Sequence, residues 1–599
     1  MYKVIKRDGK VVDFNIEKIS TAIKKAFDGV DKKYHQDVID MLALKVTSGF
    51  DKYIKDDKIQ VEKIQDLVEI TLISSGYADV AKAYILYRKQ REKTRNLRST
   101  MLGYKELVSS YVENEVNKNA DINSPYSIGG LVLSNSGEIT ANYWLSEVYD
   151  EEITKAHTNG DIYISGLSSL TGSDSIWSIK KIISKGLNGI DGMVKSGPAN
   201  HLSTITMHLS RFLSIVQNEW TGTQTFNNFD TYLAPFIKKD KLSYVDVKQI
   251  MQTFVYEINT PNCVGMNTPL TQIGLDINVP EKLKDEKCLI RNEKLEFTYA
   301  DCKEEIKMID KALFEVMNEG DYEGNNFAYP GICIKADDGF VFEDNELNKL
   351  IFNVALKYPN IYFANAKGKK AKNAFGQAED GGSIGLVTLN LVRLVKESQN
   401  PNDFYKACDK VLELALRALQ IKKNIIVRLF DNNLYPLTRF YIDNLNKYTC
   451  NIGLIGLNEV CLNATWLKKD LNDEESRKFI IELLAYLKSG IARLSKEYKE
   501  TIVLRKTDSL TAGYVMAKLD KEKDSDIITS TDDKGAPYYA GDINYEDLFA
   551  KLDFENRIQK NLNGVSPVHI GYKDKLDYKE MMLLLNKVVD NYDIKLIGK

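Results

Sequence analysis

Apolar positions along this chain follow two periods, and the first ninety-odd residues show both. VIKRDGKVVDF alternates apolar and polar residues about an Asp8-Gly9 dipeptide, the pattern of a β-hairpin. Ile16 to Phe27 and Val61 to Ile73 then carry apolar residues three and four apart, which predicts amphipathic helices. YILYRKQREKTR closes the segment as a strongly basic helix. Beyond the polar stretch VNKNADINSPYS, long amphipathic segments alternate with short β-like runs such as IGLVTLNL, IGLIGLNEV and TIVLR. That rhythm predicts an α/β fold with buried strands. The charged stretch LDKEKDSDIITSTDDKG at 519–535 reads as an exposed loop, and no repeat of fixed period is present.

A chain of 599 residues exceeds what one core usually serves, so we expect a small domain, 1–97, followed by a large one, 98–599. The 81 basic and 84 acidic residues leave a net charge of −3, which gives no global field for nucleic acid. No apolar run approaches the ~20 residues of a membrane span, and MYKVIKRDGK has no apolar signal region, so a cytoplasmic protein is expected. Seven cysteines (263, 288, 302, 333, 408, 450 and 461) form no CxxC pair, and we expect them reduced and mostly buried.

In the N-terminal segment Lys6, Arg7 and Lys18, with Arg88 and Arg91, could converge on a triphosphate, although spacing alone fits a solvated basic face equally well. The order V-x-K-R-D-G, F-N-x-x-K-I and Y-x-x-Y-R-x-x-R resembles the ATP-cone of ribonucleotide reductases. The resemblance implies a regulatory site for ATP or dATP in which Lys6, Arg7 and Lys18 contact phosphate.

SGPANHL (196–202), QNEWTGTQTFNNFDTYLAPF (217–236), NTPLTQIGLD (267–276), GGSIGLVTLNLVRL (381–394) and IGLIGLNEV (452–460) occur in the order found in anaerobic (class III) ribonucleotide reductases, which the remainder resembles. A ten-stranded α/β barrel of the glycyl-radical type is implied. The helix from His201 to Trp220 lies where that family dimerises and binds the effector dNTP that selects the substrate, so a homodimer or higher oligomer is expected. Leu202, Ile205, Leu209, Phe212, Leu213 and Val216 mark its packed side. His201, Gln217 and Asn218 are left to bind nucleotide. Gln224, Asn227, Asn228 and Asp230 fit nucleotide contacts and helix capping equally.

The residues that radical reduction requires are absent from their places. The family's thiyl cysteine precedes the SIGLVTLN strand, where YFANAKGKKAKNAFGQAEDGGSIG holds none. Its first-strand cysteine is replaced by Asp174 or Ser175, its H-x-H-D-L by YISGL, and a P-A-E-like turn by Thr507-Asp508-Ser509-Leu510. The resemblance also implies two zinc-binding CxxC pairs and a glycyl-radical motif near the C-terminus, where the sequence reads NYDIKLIGK. We therefore expect neither zinc nor a glycyl radical.

Asp174, Glu379, Asp380 and Asp508 fall near the rewritten pocket and are ligand types suited to Mg²⁺ or Mn²⁺ carrying a nucleotide's phosphates. Lys367, Lys369, Lys370 and Lys372 could offset phosphate charge, and Asn390 could bond a ribose or phosphate. Three functions compete. The first is a dNTP-sensing regulator, coupled to a separately encoded effector enzyme and serving in bacteriophage defence. The second is a metal-dependent nucleotidyl- or phosphoryl-transfer enzyme with Asp174, Asp508 and Asn390 catalytic. The third is a reductase completed by another chain.

Overall fold

The computed structural model describes residues 3–6, 11–54, 57–90, 108, 127–261, 267–368, 378–507, 509–541, 547–570 and 576–599. Arg7, Arg91, Cys263, Lys369, Lys370, Lys372 and Asp508 lie outside the described residues. The chain divides into two compact units, Met1–Glu113 and Asn114–Lys599.

In the first unit strand Lys3–Ile5 pairs antiparallel with Val11–Asp13, placing Val4 opposite Val12 as the alternation predicts. Its other edge pairs parallel with Lys58–Gln60. Helices Glu17–Asp28, Gln36–Ser48 and Val61–Ser74 and a helix over 78–90 cover this small sheet. Ile23, Phe27, Leu42, Val46 and Leu72 form its core, at the three- and four-residue spacing of the sequence.

Among the described residues the second unit is the expected ten-stranded barrel, made of two five-stranded halves, with Ile162–Ile164 as an eleventh strand antiparallel to Gly381–Leu389. Strands Ser175–Trp177, Gln224–Phe226, Thr271–Leu275, Gly331–Ala336 and Ile361–Asn365 run parallel in that order. Gly381–Leu389, Tyr448–Leu454 and Ile502–Lys506 are parallel to one another, as are Pro567–His569 and Leu596–Gly598. The halves meet antiparallel at two joints, Gly381–Leu389 beside Ser175–Trp177 and Ile361–Asn365 beside Leu596–Gly598. The last joint is made differently. Between Ile502–Lys506 and the segment leading into Pro567–His569, the Asn563 side chain accepts from the Leu504 amide (2.6 Å) and donates to the Ile502 carbonyl (2.8 Å). The Ser566 hydroxyl accepts from the Lys506 amide (2.9 Å), and the Gly564 amide donates to the Leu504 carbonyl (3.0 Å).

Alternate strand residues face opposite sides. Ile332, Ile334 and Ala336 join the outer core under the helices, whereas Cys333 packs with Ala364 and Leu596 in a separate small cluster on the inner side. The stretch 519–535 is not a simple exposed loop. Helix Leu510–Lys523 runs into it, Asp520 is buried, and Ser530–Thr531 pairs with Pro537–Tyr538. No helix among the described residues is long and apolar enough to cross a membrane.

Candidate functional sites

Small-molecule pockets run to ~300–1,000 Å³, and a cavity in the first unit measures about 520 Å³. Lys18, Thr21, Ala22 and Lys25 reach it from successive turns of helix Glu17–Asp28, and Tyr84, Tyr87 and Arg88 from helix 78–90. Lys18 and Arg88 are thus brought together as the sequence suggested; Lys6 is exposed beyond the lining. Arg88 bridges Asp66 (3.0 Å) and Glu69 (2.8 Å), so it orders this wall while its charge is shared. Burial pushes the Tyr84 hydroxyl up to about 12, which keeps it a neutral donor. Asn15, Glu17 and Gln65 complete the lining, and Thr21, Ala22 and Lys25 were not anticipated. The i, i+3, i+4, i+7 spacing of residues 18, 21, 22 and 25 was the signal that could have found them.

The residues expected on the effector helix are not gathered. His201 precedes helix Leu202–Val216 and contacts Asp240 at 2.9 Å, while Gln217 closes its other end, roughly 24 Å away at 1.5 Å per residue. Asn218 donates to the Ile215 carbonyl at 2.8 Å. Gln224 is fully buried, accepting from the Trp177 indole and donating to the Gly222 carbonyl, both at 2.8 Å. It braces two strands and cannot reach a nucleotide. The Asn228 amide and the Thr231 hydroxyl instead hold Asp276 (2.8 and 2.7 Å), and Asp230 accepts from the amides of Thr231, Asp276 and Ile277. A groove of about 400 Å³ lies elsewhere on the helix, against helix Tyr244–Asn259, with Arg211, Ser214, Gln249, Gln252 and Tyr256 in its walls.

The pocket carboxylates are also kept apart by their partners. Asp174 accepts from the Thr223 amide (2.9 Å) and the Ser173 hydroxyl (3.1 Å), pinning a turn. Glu379 accepts from the Tyr232 hydroxyl, and Asp380 pairs with Lys447 at 2.6 Å. No group of three metal-ligating side chains occurs among the described residues, so the expected Mg²⁺ or Mn²⁺ cluster is not assembled from Asp174, Glu379 and Asp380. Asn390 caps helix Leu391–Glu397 and donates to the Gly160 carbonyl and to Asp520, both at 2.8 Å. Its amide is used inside the protein, which removes it from ribose or phosphate binding. Lys367 pairs with Asp590 at 2.6 Å. Behind YISGL stands a residue the sequence did not single out. Lys422 donates to the carbonyls of Ser165 (3.2 Å) and Gly166 (3.4 Å), and burial lowers its pKa to about 8.

Residues 366–380 separate Ile361–Asn365 from Gly381–Leu389 in the sequence, and near the second strand Asn227 donates to the Ala378 carbonyl at 2.6 Å. Cys333, the cysteine on the inner face of Gly331–Ala336, stands on a strand and not in this segment. Burial pushes its thiol up to about 12.

The model of the anaerobic ribonucleoside-triphosphate reductase family matches residues 118–598, and that of the ATP cone domain matches residues 2–93. The chain belongs to the anaerobic reductase family. This family member is 23% identical to the anaerobic ribonucleoside-triphosphate reductase of Haemophilus influenzae over 618 aligned positions, covering 92% of this chain and 84% of that protein. Its first segment is 39% identical over 98 positions to the ribonucleoside-diphosphate reductase alpha subunit of Chlamydia pneumoniae, covering 15% of this chain and 9% of that one. The anaerobic reductase of Thermotoga maritima, solved with dATP and CTP, superposes with a TM-score of 0.67 at 19% identity, covering 84% of this chain and 91% of that one. The reductase fold and a nucleotide-binding cone are therefore both present in this family member.

Proposed function

We propose that this member of the anaerobic reductase family reads deoxynucleotide levels and does not reduce ribonucleotides. The observation that carries the reading is internal. Residues 366–380, between Ile361–Asn365 and Gly381–Leu389 in the sequence, contain no cysteine, and Asp174 and Ser175 occupy the start of the first strand. The cone cavity, with Lys18, Lys25 and Tyr87, is meanwhile complete enough to take ATP or dATP. The groove beside Arg211 is the place for a dNTP effector, and coupling the two sites through a homodimer or larger assembly would make the protein a sensor. A separately encoded effector enzyme would receive the signal, and bacteriophage defence is the setting such a sensor would suit.

The transfer-enzyme reading has less support, because Asp174, Glu379 and Asp380 are each engaged separately. Calorimetry of the purified chain with ATP, dATP and each dNTP, with mass spectrometry of the nucleotides after incubation with Mg²⁺ or Mn²⁺, tests both. The sensor reading expects binding with nucleotides recovered unchanged. Absence of binding would sink it, and a new nucleotide species lost in Asp174→Ala would favour transfer. Formation of a deoxynucleotide from a ribonucleotide would restore the reductase reading.

A further inference from the structure

Two cysteines outside every site described above stand sulfur to sulfur. Cys288 lies in strand Lys287–Ile290, where the pairing with Glu293–Thr298 shifts register between Lys287 and Leu289. Cys302 ends the short turn Tyr299–Cys302, directly before helix Lys303–Glu319. Their Sγ atoms are 3.7 Å apart, and both residues are fully buried.

The pair is held from both sides. Thr298 and Asp301 form a capping box, the Thr298 amide donating to Asp301 at 2.8 Å and its hydroxyl at 3.0 Å, so Cys302 keeps its place. On the other side, the hairpin strand packs Cys288 and Ile290 into the main core. A sulfur–sulfur bond is about 2.0 Å long and tolerates only a narrow range of side-chain geometry. At 3.7 Å the two sulfurs have ~1.7 Å to close for that bond to form.

We propose that Cys288 and Cys302 are a reversible dithiol–disulfide site, oxidised by thiol exchange with a small-molecule disulfide such as oxidised glutathione. Access comes from the hairpin. It is a two-stranded sheet by itself, with Glu293, Lys294 and Glu296 exposed, and such hairpins open locally at less cost than a barrel strand. One of the two sulfurs, as thiolate, attacks the small disulfide, forms a mixed disulfide and releases one small thiolate. The other sulfur, once deprotonated, then attacks the first, forming the protein disulfide and releasing the second thiolate. The two protons from the protein thiols end on the two small thiols, so two protein thiols are oxidised and one small disulfide is reduced. The neighbouring Cys302 and burial both push the Cys288 thiol up. The disulfide would tie the hairpin to the start of the helix that carries Asp310.

The test uses the full chain, incubated with reduced or with oxidised glutathione, quenched in acid, alkylated after denaturation and digested without reductant. Mass spectrometry should find a peptide pair joined through Cys288 and Cys302 only after oxidation, and dithiothreitol should return both to alkylatable thiols. Cys302→Ala should abolish the linked pair. The proposal is overturned if both cysteines remain alkylated after oxidation, if either carries only glutathione, or if either is joined to a different cysteine. Cys461→Ser, whose side chain packs in a separate core of the second unit, is run in parallel and should leave the linked pair unchanged.

Discussion

Asp310, midway along helix Lys303–Glu319, turns its carboxyl onto that of Asp230 in the first turn of helix Phe229–Asp240. Both are fully buried. Asp230 has three backbone amides as donors, whereas neither oxygen of Asp310 meets one. A proton on Asp310 supplies the missing donor and makes the contact a hydrogen bond. Burial first, then the charges of Asp230 and Asp276, push Asp310 well above the usual carboxylate range. Burial and the charge of Asp276 bring Asp230 to about 7, with Lys335 nearby, 3.3 Å from Asp276.

Raised carboxyl values have one sign for stability. The folded chain binds more protons than the unfolded one between the ordinary aspartate value and about 7, so stability is full at low pH and falls as pH rises through that window. Melting temperatures at pH 5 and pH 8 should show the fall, and Asp310→Asn should make it shallower. The same pH slope in both proteins would refute the shared proton.

Arg393 is buried and anchored by Asp520, its Nε donating at 2.5 Å, with Asp161 at 2.9 Å as a second partner. Asp520 also receives the Tyr539 hydroxyl at 2.5 Å. Asp520→Ala leaves the guanidinium short of charge in the interior and should destabilise the chain by ~3–5 kcal/mol in urea unfolding. A loss below 1 kcal/mol would mean that Asp161 alone suffices.

For the cone, Lys18→Ala should weaken ATP or dATP binding by about tenfold, or ~1.4 kcal/mol, without altering the unfolding transition. Calorimetry on the full chain measures this. Unchanged affinity would move the phosphates away from helix Glu17–Asp28.

Two substitutions separate the expected effector residues from the groove. Gln224→Ala strands the Trp177 indole and should cost ~1–3 kcal/mol of stability. Arg211→Ala, in the groove wall, should change stability by less than ~0.5 kcal/mol while weakening dNTP binding. Equal dNTP binding in wild type and Arg211→Ala would exclude the groove.

The fold was legible because long apolar runs such as IGLVTLNL report a strand covered by helices, and because Ile16 to Phe27 reports a single packed face. The cone cavity was half legible: Lys18 and Arg88 were visible as charges, but Asn15 and Gln65 come from segments that meet only after folding. The barrel pocket was the least legible. Asp174, Asn390 and Gln224 are the residue types that bind ligands, and the same donors and acceptors also satisfy turns, caps and indole groups. Sequence spacing does not separate those uses. That Asp230 meets Asp310 in the interior was not legible, since Asp310 looks like any polar position of an amphipathic helix.

The joint between Ile502–Lys506 and Pro567–His569 rests mainly on Asn563 and Ser566, with one main-chain bond from Gly564, where the other two joints rest on main-chain ladders. A cylinder without edges offers no template to a neighbouring chain, and an open sheet offers two. Here the difference between the two shapes lies in an asparagine amide, a serine hydroxyl and the single Gly564 main-chain bond. Drift at these two positions would expose a strand rim, so the first symptom of losing them should be self-association rather than loss of any nucleotide site.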